Sequence, residues 1–399
     1  MKKFFSYAMM LAVALTSGTI TSCSSDDGEN EEGTPSRNYN LTLTFKFEGD
    51  ITASDVETLD VVLTNDKEQT TTYKVKGDTT LSVVEGAYSI TVSGKITDEN
   101  FSFATGVANV ELYSDKAVEV KLAKAIESPL IFKRLYINGG YEYYLKDSYF
   151  EMVNNSDEVQ YLDGLILTAP QFFSSPNAWQ ENGMAHLYPC GQGSVVQFPG
   201  TGKDYPIQPG QSVVVANNAA DHAKLGAENG GSAVSPDLSS ADWEIYLDYA
   251  AADEDYPAPN LNVIFYNNAY MFAFGLGVAG RGYVLARLPE GMTVDKFVDP
   301  DGDYVMYEPG SESTIMNYLV VPSDWVLDAV EIRASDASDD DYIPMFLAKD
   351  DARGVKGNPM YSGLAIQRKV ARTAGDRVYY QDTNNSANDF EIGVSAAIK

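Results

Sequence analysis

Histidine and cysteine are nearly missing from this chain, with two of each in 399 residues. A zinc site needs three or four ligands at suitable spacing, and His186 with Cys190 supplies only two. Their i, i+4 spacing would suit a helix, but Pro189 and the loop-like composition around it argue against one. A Cys–His nucleophile pair would also need a third group to orient it. The Gly-x-Ser-x-Gly elbow, the phosphate-binding Walker loop and the dinucleotide fingerprint are absent too. Basic residues are scarce: 28 Lys and Arg stand against 57 Asp and Glu, for a net charge of −29. Such a field repels nucleic acid and anionic membrane surfaces, so no nucleic-acid partner is expected. It suits cations and basic partners, and it equally serves solubility in an exposed location.

The residues that are abundant point to strands. Hydrophobic residues make up 44% of the chain, enough to build cores and to exclude global disorder. Aromatics are mostly Tyr, with 26 Tyr against 3 Trp, and they accompany β-branched residues and many Gly and Pro punctuators. Tyr and β-branched residues suit half-buried strands, and Gly and Pro mark the turns between them. An all-β protein is expected, and the length predicts two folded domains.

Residues 1–22 combine Lys2 and Lys3 with a short apolar run, Phe4 to Leu15, too short for a comfortable membrane span. This is the pattern of a signal peptide. Ile20-Thr-Ser-Cys23 resembles the lipobox of bacterial lipoproteins, which implies that Cys23 is acylated and becomes the first mature residue. With Cys23 acylated, Cys190 has no intrachain disulfide partner. The acidic run Asp26-Asp-Gly-Glu-Asn-Glu-Glu32 resembles the surface-export tag of Bacteroidetes lipoproteins, although a solvated linker has the same composition. The resemblance implies an outer-membrane, lipid-anchored, surface-exposed protein. Residues 23–39 are then an acidic flexible linker.

From Asn40 the chain alternates. Leu41, Leu43, Phe45 and Phe47 fall on one face, and similar runs recur at Val61–Leu63, Thr71–Val75, Leu81–Val84, Tyr88–Val92, Phe101–Leu112 and Val118–Leu122. Seven short strands at this spacing predict a β-sandwich over residues 40–124. Gly86-Ala-Tyr-Ser-Ile-Thr-Val-Ser-Gly94 resembles a strand of immunoglobulin-like and carboxypeptidase-regulatory-like modules. This first domain reads as a spacer.

Residues 125–399 form the larger domain. Tyr149–Leu167 alternates, breaks at Asn154-Asn155-Ser156-Asp157, and resumes through Leu162, Leu165 and Leu167. That pattern predicts two strands joined by a tight loop. Phe150-Glu-Met-Val-Asn154, Tyr205-Pro-Ile-Gln-Pro-Gly-Gln211, Asp324-Trp-Val-Leu-Asp-Ala-Val-Glu-Ile332 and Gly363-Leu-Ala-Ile-Gln-Arg368 follow one another in the order of the lamin-tail-type domains they resemble. The resemblance implies a lamin-tail-like β-sandwich with long inserts at 168–204 and 217–316. Asn154-Asn155-Ser156, Tyr161-Leu-Asp-Gly164, Gln367-Arg368-Lys369 and the closing Asp382-Thr-Asn-Asn-Ser-Ala-Asn-Asp-Phe390 are similar to motifs of a family of uncharacterised Bacteroidetes surface lipoproteins, the domain of unknown function 4876. That family brings no known activity. It implies a lipoprotein context and association with TonB-dependent outer-membrane transporters.

The inserts are rich in aromatics, and Trp179, Tyr188, Trp243, Tyr246, Tyr256 and Tyr270 are the candidate ligand-binding residues. Aromatic loops on a β scaffold could form a platform for a glycan or small molecule. They could equally pack as small cores under the loops. Asp299, Asp301 and Asp303 alternate like the start of a calcium loop, but Gly is missing at position 6 and Gly310 occupies position 12, so the EF-hand pattern fails. A structural calcium ion is the one candidate cofactor, and a solvated acidic loop is its alternative. No catalytic residue is singled out and no enzymatic activity is expected. The function expected is that of a binding or accessory component, in a TonB-dependent uptake system or beside another outer-membrane protein. The alternatives are a structural protein-contact module and a carboxylate-based glycan hydrolase, which would need two acids about 5–10 Å apart.

Overall fold

The computed structural model describes residues 37–399 except 50, 66–68, 98–101, 127, 141–145, 171–176, 191–194, 229–233, 251–252, 266–273, 276, 278, 313–316, 340–341 and 399. Nearly all the regular structure is β, as the composition predicts. Seven strands open it: β1 (Asn38–Phe47), β2 (Leu59–Asn65), β3 (Thr70–Val75), β4 (Thr79–Val84), β5 (Gly86–Lys95), β6 (Ser102–Leu112) and β7 (Lys116–Ile126). They pair in the order β3-β2-β5-β6-β7-β1-β4.

β7 belongs to both halves of that arrangement. Its first half runs parallel to β1, from Leu41 opposite Lys116 to Phe47 opposite Leu122. Its second half pairs antiparallel with the start of β6, Ala123 opposite Thr105. The sheet folds over at this junction and closes around Leu41, Leu43, Val61, Leu63, Ile90, Val92, Val120 and Leu122. The junction dictates a glycine. A Cβ on Gly106 would lie 2.1 Å from the Lys121 carbonyl oxygen, a contact no side chain tolerates.

The remainder is built on three larger sheets, with two two-stranded ribbons beside them. An outer six-stranded sheet runs Trp243–Glu244, Ser212–Ala216, Tyr149–Asn154, Leu130–Tyr136, Leu364–Arg368, Phe390–Ser395. A central sheet runs Asn262–Phe265, Val195–Gln197, Leu165–Thr168, Arg281–Arg287, Val326–Arg333, Val355–Lys356. A three-stranded sheet (Leu187–Cys190, Asn317–Pro322, Val305–Tyr307) covers the far side. Phe132, Phe150 and Met152 of the outer sheet meet Leu165, Leu167, Tyr283 and Leu285 of the central one. The alternate residues of the same central strands, Ile166, Val284 and Ala286, face the other way, onto Tyr188, Cys190, Leu319 and Val321. A strand covered on both faces needs apolar residues at every position, and Leu165–Thr168 is buried throughout.

This layering corrects two expectations. Tyr149–Asn154 and Leu165–Thr168 do not form a hairpin. The first pairs with Leu130–Tyr136 and Ser212–Ala216, the second with Val195–Gln197 and Arg281–Arg287, so the chain crosses between sheets. The expected inserts, 168–204 and 217–316, also supply strands to all three sheets rather than loops mounted on a finished frame.

Candidate functional site

A dense cluster of charge lies inside the molecule. In Leu364–Arg368 the period of two puts Arg368 on the same face as Ile366, towards the core between the outer and central sheets. In Val326–Arg333 the same period aligns Asp328 with Val330 and Ile332. The Arg368 guanidinium donates to Asp328 Oδ1 at 2.6 Å, to Asp382 Oδ1 and Asp389 Oδ2 at 3.2 Å each, and to the carbonyls of Phe132 and Gln381 at 2.7 and 3.0 Å. It also lies 4.8 Å over the Phe390 ring. The arginine side chain and its three partner carboxylates are each no more than 2% exposed.

The acids have further donors. Phe132 N–H reaches Asp328 Oδ2 at 2.7 Å, and Thr383 binds Asp389 through both its backbone N–H (2.8 Å) and its hydroxyl (2.7 Å). Burial pushes the Asp328 carboxyl up to about 7 despite the neighbouring guanidinium, with the Asp382 charge adding to the rise. Burial likewise raises Asp389. Three segments distant in sequence meet here, and the cluster rivets the outer sheet to the central one. A raised carboxyl is a hallmark of catalytic acids when it faces a cleft. This one faces only its own partners.

The candidate aromatics divide. Trp179 packs edge-on against Tyr318 with ring centroids 5.0 Å apart, and Trp243 is held by Phe198 and Tyr205 at 5.3 and 4.9 Å. Tyr188 is fully buried; its ring meets Phe346 and its hydroxyl donates to Asp350. These three are packed into the body and offer no open ring face to a ligand. Tyr246 and Tyr256 are half-buried, and the Tyr256 hydroxyl donates to Glu254 at 2.7 Å. Tyr270 and Cys23 lie outside the described residues. The aromatics therefore do not assemble into one platform among the described residues.

The candidate calcium acids Asp299, Asp301 and Asp303 are exposed, and the Asp299 carboxylate accepts the Asp301 N–H at 3.0 Å to hold its own turn. Among the described residues no three His, Cys, Asp or Glu side chains gather as a metal would require. Asp339, from a second acidic run, is engaged by Arg333, Arg353 and Lys356 at 2.6, 3.0 and 2.8 Å. Partial burial opposes its ionisation, but the bonds from Lys356 and Arg333 outweigh it and hold the carboxyl at about 2. Glu244 is fully buried, accepts the Tyr256 and Ala219 N–H groups at 3.0 and 3.3 Å, and is raised by burial to about 7. Cys190 is buried against the Thr168 hydroxyl, and burial pushes its thiol up to about 12, well away from a reactive thiolate. His222 is buried at the start of the short helix His222–Glu228.

One recess opens between the outer and central sheets beside Asn138, Arg333 and Asn358, and its volume of about 10 Å³ has room for a single water. The other prominent feature lies at the surface. Val370–Ala374 and Arg377–Tyr380 form a two-stranded ribbon of their own. Its second strand is pinned along its length to the Asn154–Asp157 turn. Arg377 donates to the Asn154 and Ser156 carbonyls at 2.9 Å each, the Asn155 amide pairs with the backbone of Tyr380, and the Tyr379 hydroxyl bonds Asp157.

By fold this is an all-β, sandwich-type protein. Residues 208–397 match the model of a family described as Protein of unknown function (DUF4876), and over that segment the resemblance read from the sequence is borne out. The chain is also similar to the crystal structure of a DUF4876 family protein from Bacteroides thetaiotaomicron VPI-5482, at 25% identity and a TM-score of 0.58, over 90% of this chain and 96% of that one. The fimbrial anchor protein Mfa2 from Porphyromonas gingivalis aligns at 10% identity over 33% of this chain and 60% of that one, but its TM-score of 0.17 establishes no common fold. No curated protein matches the chain. No helix among the described residues is long and apolar enough to cross a membrane.

Proposed function

We propose that this protein is a lipoprotein held on the outer membrane through acylated Cys23, exposed at the cell surface, and that its β frame acts as a contact module. In that role it is a binding or accessory component of an outer-membrane assembly such as a TonB-dependent uptake system. The observation that carries the reading is Ile20-Thr-Ser-Cys23 behind a short apolar run and ahead of seven residues that include five acids. Several acyl chains on one cysteine would give a stable anchor where one alone is marginal. The engagement of Asp328, Asp339, Glu244, Asp382 and Asp389 by internal partners supports a scaffold role over acid–base chemistry.

The test is fractionation of cells expressing Cys23→Ala. The wild-type chain should sediment with outer membranes, take up a labelled fatty acid and be cut by protease added to whole cells. The variant should be unlabelled and soluble. A variant that stays with the membrane would refute the anchor. Native capture from wild-type membranes should then recover a barrel protein in stoichiometric amount, and recovery of the chain alone would refute the accessory role.

A further inference from the structure

The ribbon formed by Val370–Ala374 and Arg377–Tyr380 has two features that the core does not explain. The first is an open edge. All five residues of Val370–Ala374 are exposed, and Arg377–Tyr380 pairs with only one side of that strand. The opposite edge of the ribbon is taken up by Asn155, whose side chain bonds both the N–H and the carbonyl of Tyr380, at 2.8 and 3.0 Å. An exposed strand edge is a template for another strand, and proteins usually guard it with lysine, proline or a bulge. Two other edge strands are guarded in this way. β3 carries Lys74, and Phe390–Ser395 carries Gly393 at φ +77° with a register shift in its pairing to Leu364–Arg368. The free stretch Arg372–Ala374 lies beyond the ribbon's own irregularity at Val370/Arg372 and contains neither lysine nor proline.

The second feature is charge. Lys369–Tyr380 carries Lys369, Arg372 and Arg377 against Asp376 alone, the reverse of a chain with 28 basic and 57 acidic residues. Arg377 and Lys369 are occupied, by the turn carbonyls and by the Asn388 carbonyl at 2.7 Å. Arg372 makes no ion pair among the described residues. Its guanidinium lies 3.4 Å over one ring, that of Tyr379, which Arg377 also approaches, at 4.4 Å. Stacking spends the face of a guanidinium and leaves its edge N–H groups as a planar fork matched to a carboxylate. The ring is itself fixed through its hydroxyl to Asp157, so the fork is preorganised.

We propose that the ribbon is a docking edge for an extended, acidic segment of a partner protein. That segment adds as a third strand along Arg372–Ala374 and sets a carboxylate on the Arg372 guanidinium. Backbone pairing supplies the affinity, and the charge selects the partner. The proposal rests on the contact role argued above, and it names the surface and the chemistry of the partner.

The test uses the folded chain and a synthetic hexapeptide alternating valine with glutamate, followed by fluorescence anisotropy at low and physiological salt. Two control peptides replace glutamate with lysine or carry N-methyl groups on alternate amides. The acidic peptide should bind the wild type and lose affinity with salt. Arg372→Glu should weaken it about ten-fold or more and gain binding to the lysine peptide. Arg372→Lys, which keeps the charge without the fork, should fall between, and the N-methylated peptide should fail. Unchanged melting curves for both variants will show that the ribbon's support is intact. No binding to the wild type, equal binding to Arg372→Glu, or indifference to N-methylation each overturns the proposal. So does a concentration-dependent dimer that Arg372→Glu abolishes, which would assign the edge to a second copy of this chain. None of these results bears on membrane fractionation of Cys23→Ala, so the two readings fail separately.

Discussion

Replacing Arg368 with methionine tests whether the buried ion cluster holds the sheets together. Methionine keeps much of the length and apolar contact but removes every donor to Asp328, Asp382, Asp389 and the carbonyls of Phe132 and Gln381. Three carboxyls would then face one another inside the fold with no cation. Breaking a buried pair by deleting one partner costs about 3–5 kcal/mol, far more than the pair's net worth against apolar residues. At roughly 2–4 °C per kcal/mol for a body of this size, the melting temperature should fall by on the order of 10 °C.

The loss must also depend on pH in a defined direction. Burial raises the folded Asp328 carboxyl to about 7, above its unfolded value near 3.8, so the folded state binds that proton more tightly. The associated stability is complete below about pH 4 and drains away as pH rises towards 7. Without the guanidinium the Asp328 and Asp389 carboxyls rise further, because its charge no longer offsets the cost of ionising them. The deficit of Arg368→Met relative to wild type should therefore be smaller at pH 5, where the cluster can take up protons, than at pH 8. Urea and thermal melts followed by circular dichroism at both pH values read the difference. Adding Asp328→Asn to the variant should restore part of the loss at pH 8. A deficit below about 1 kcal/mol, or one equal at both pH values, would refute the assignment of the cluster as a sheet-to-sheet rivet.

Two other substitutions address separate parts of the frame. Gly106→Val forces a side chain against the Lys121 carbonyl at 2.1 Å, so it should part β6 from β7 and expose the N-terminal sandwich to protease; resistance equal to wild type would show that the junction can shift. Glu244→Gln removes a carboxyl that folds with a value of about 7 against 4.5 unfolded. Its stabilising contribution is full below about 4.5 and lost as pH rises through 7, so wild type should lose ground to the variant across that interval, and a flat difference between their melting curves would refute the role given to this acid.

The N-terminal sandwich was largely legible from the residues. Each alternating run became a strand because one face is buried and the other meets solvent, so that Leu41 and Leu43 are buried while Asn40 and Thr44 are exposed. The larger body was harder for a physical reason. Leu165–Thr168 is covered on both sides, so its sequence carries no face, and its neighbour Arg281–Arg287 lies more than a hundred residues away. For Trp179, Tyr188 and Trp243 the sequence left two readings open, and the structure shows the packed one, since composition places an aromatic in a segment without saying whether its ring is exposed or buried. The ion cluster could have been found. Asp328 and Arg368 each occupy the inward register of an apolar strand, where a charge demands a partner of opposite sign. Of the stretches that carried the two resemblances, the one around Asp328 (lamin-tail-type) and those around Arg368 and Asp382–Phe390 turn out to supply its members.

That cluster also imposes an order of assembly. All the buried residues of the N-terminal core lie between Leu41 and Leu122, so that sandwich can close as soon as its own strands are available. The rivet between the outer and central sheets cannot, because Asp328 waits forty residues for Arg368, and Arg368 waits for Asp382 and Asp389. A chain supplied from its N-terminus therefore carries a finished first body ahead of a second that stays open until its final sheet strand, Phe390–Ser395, arrives. Truncation within the last twenty residues should leave the first body folded and the second without its lock.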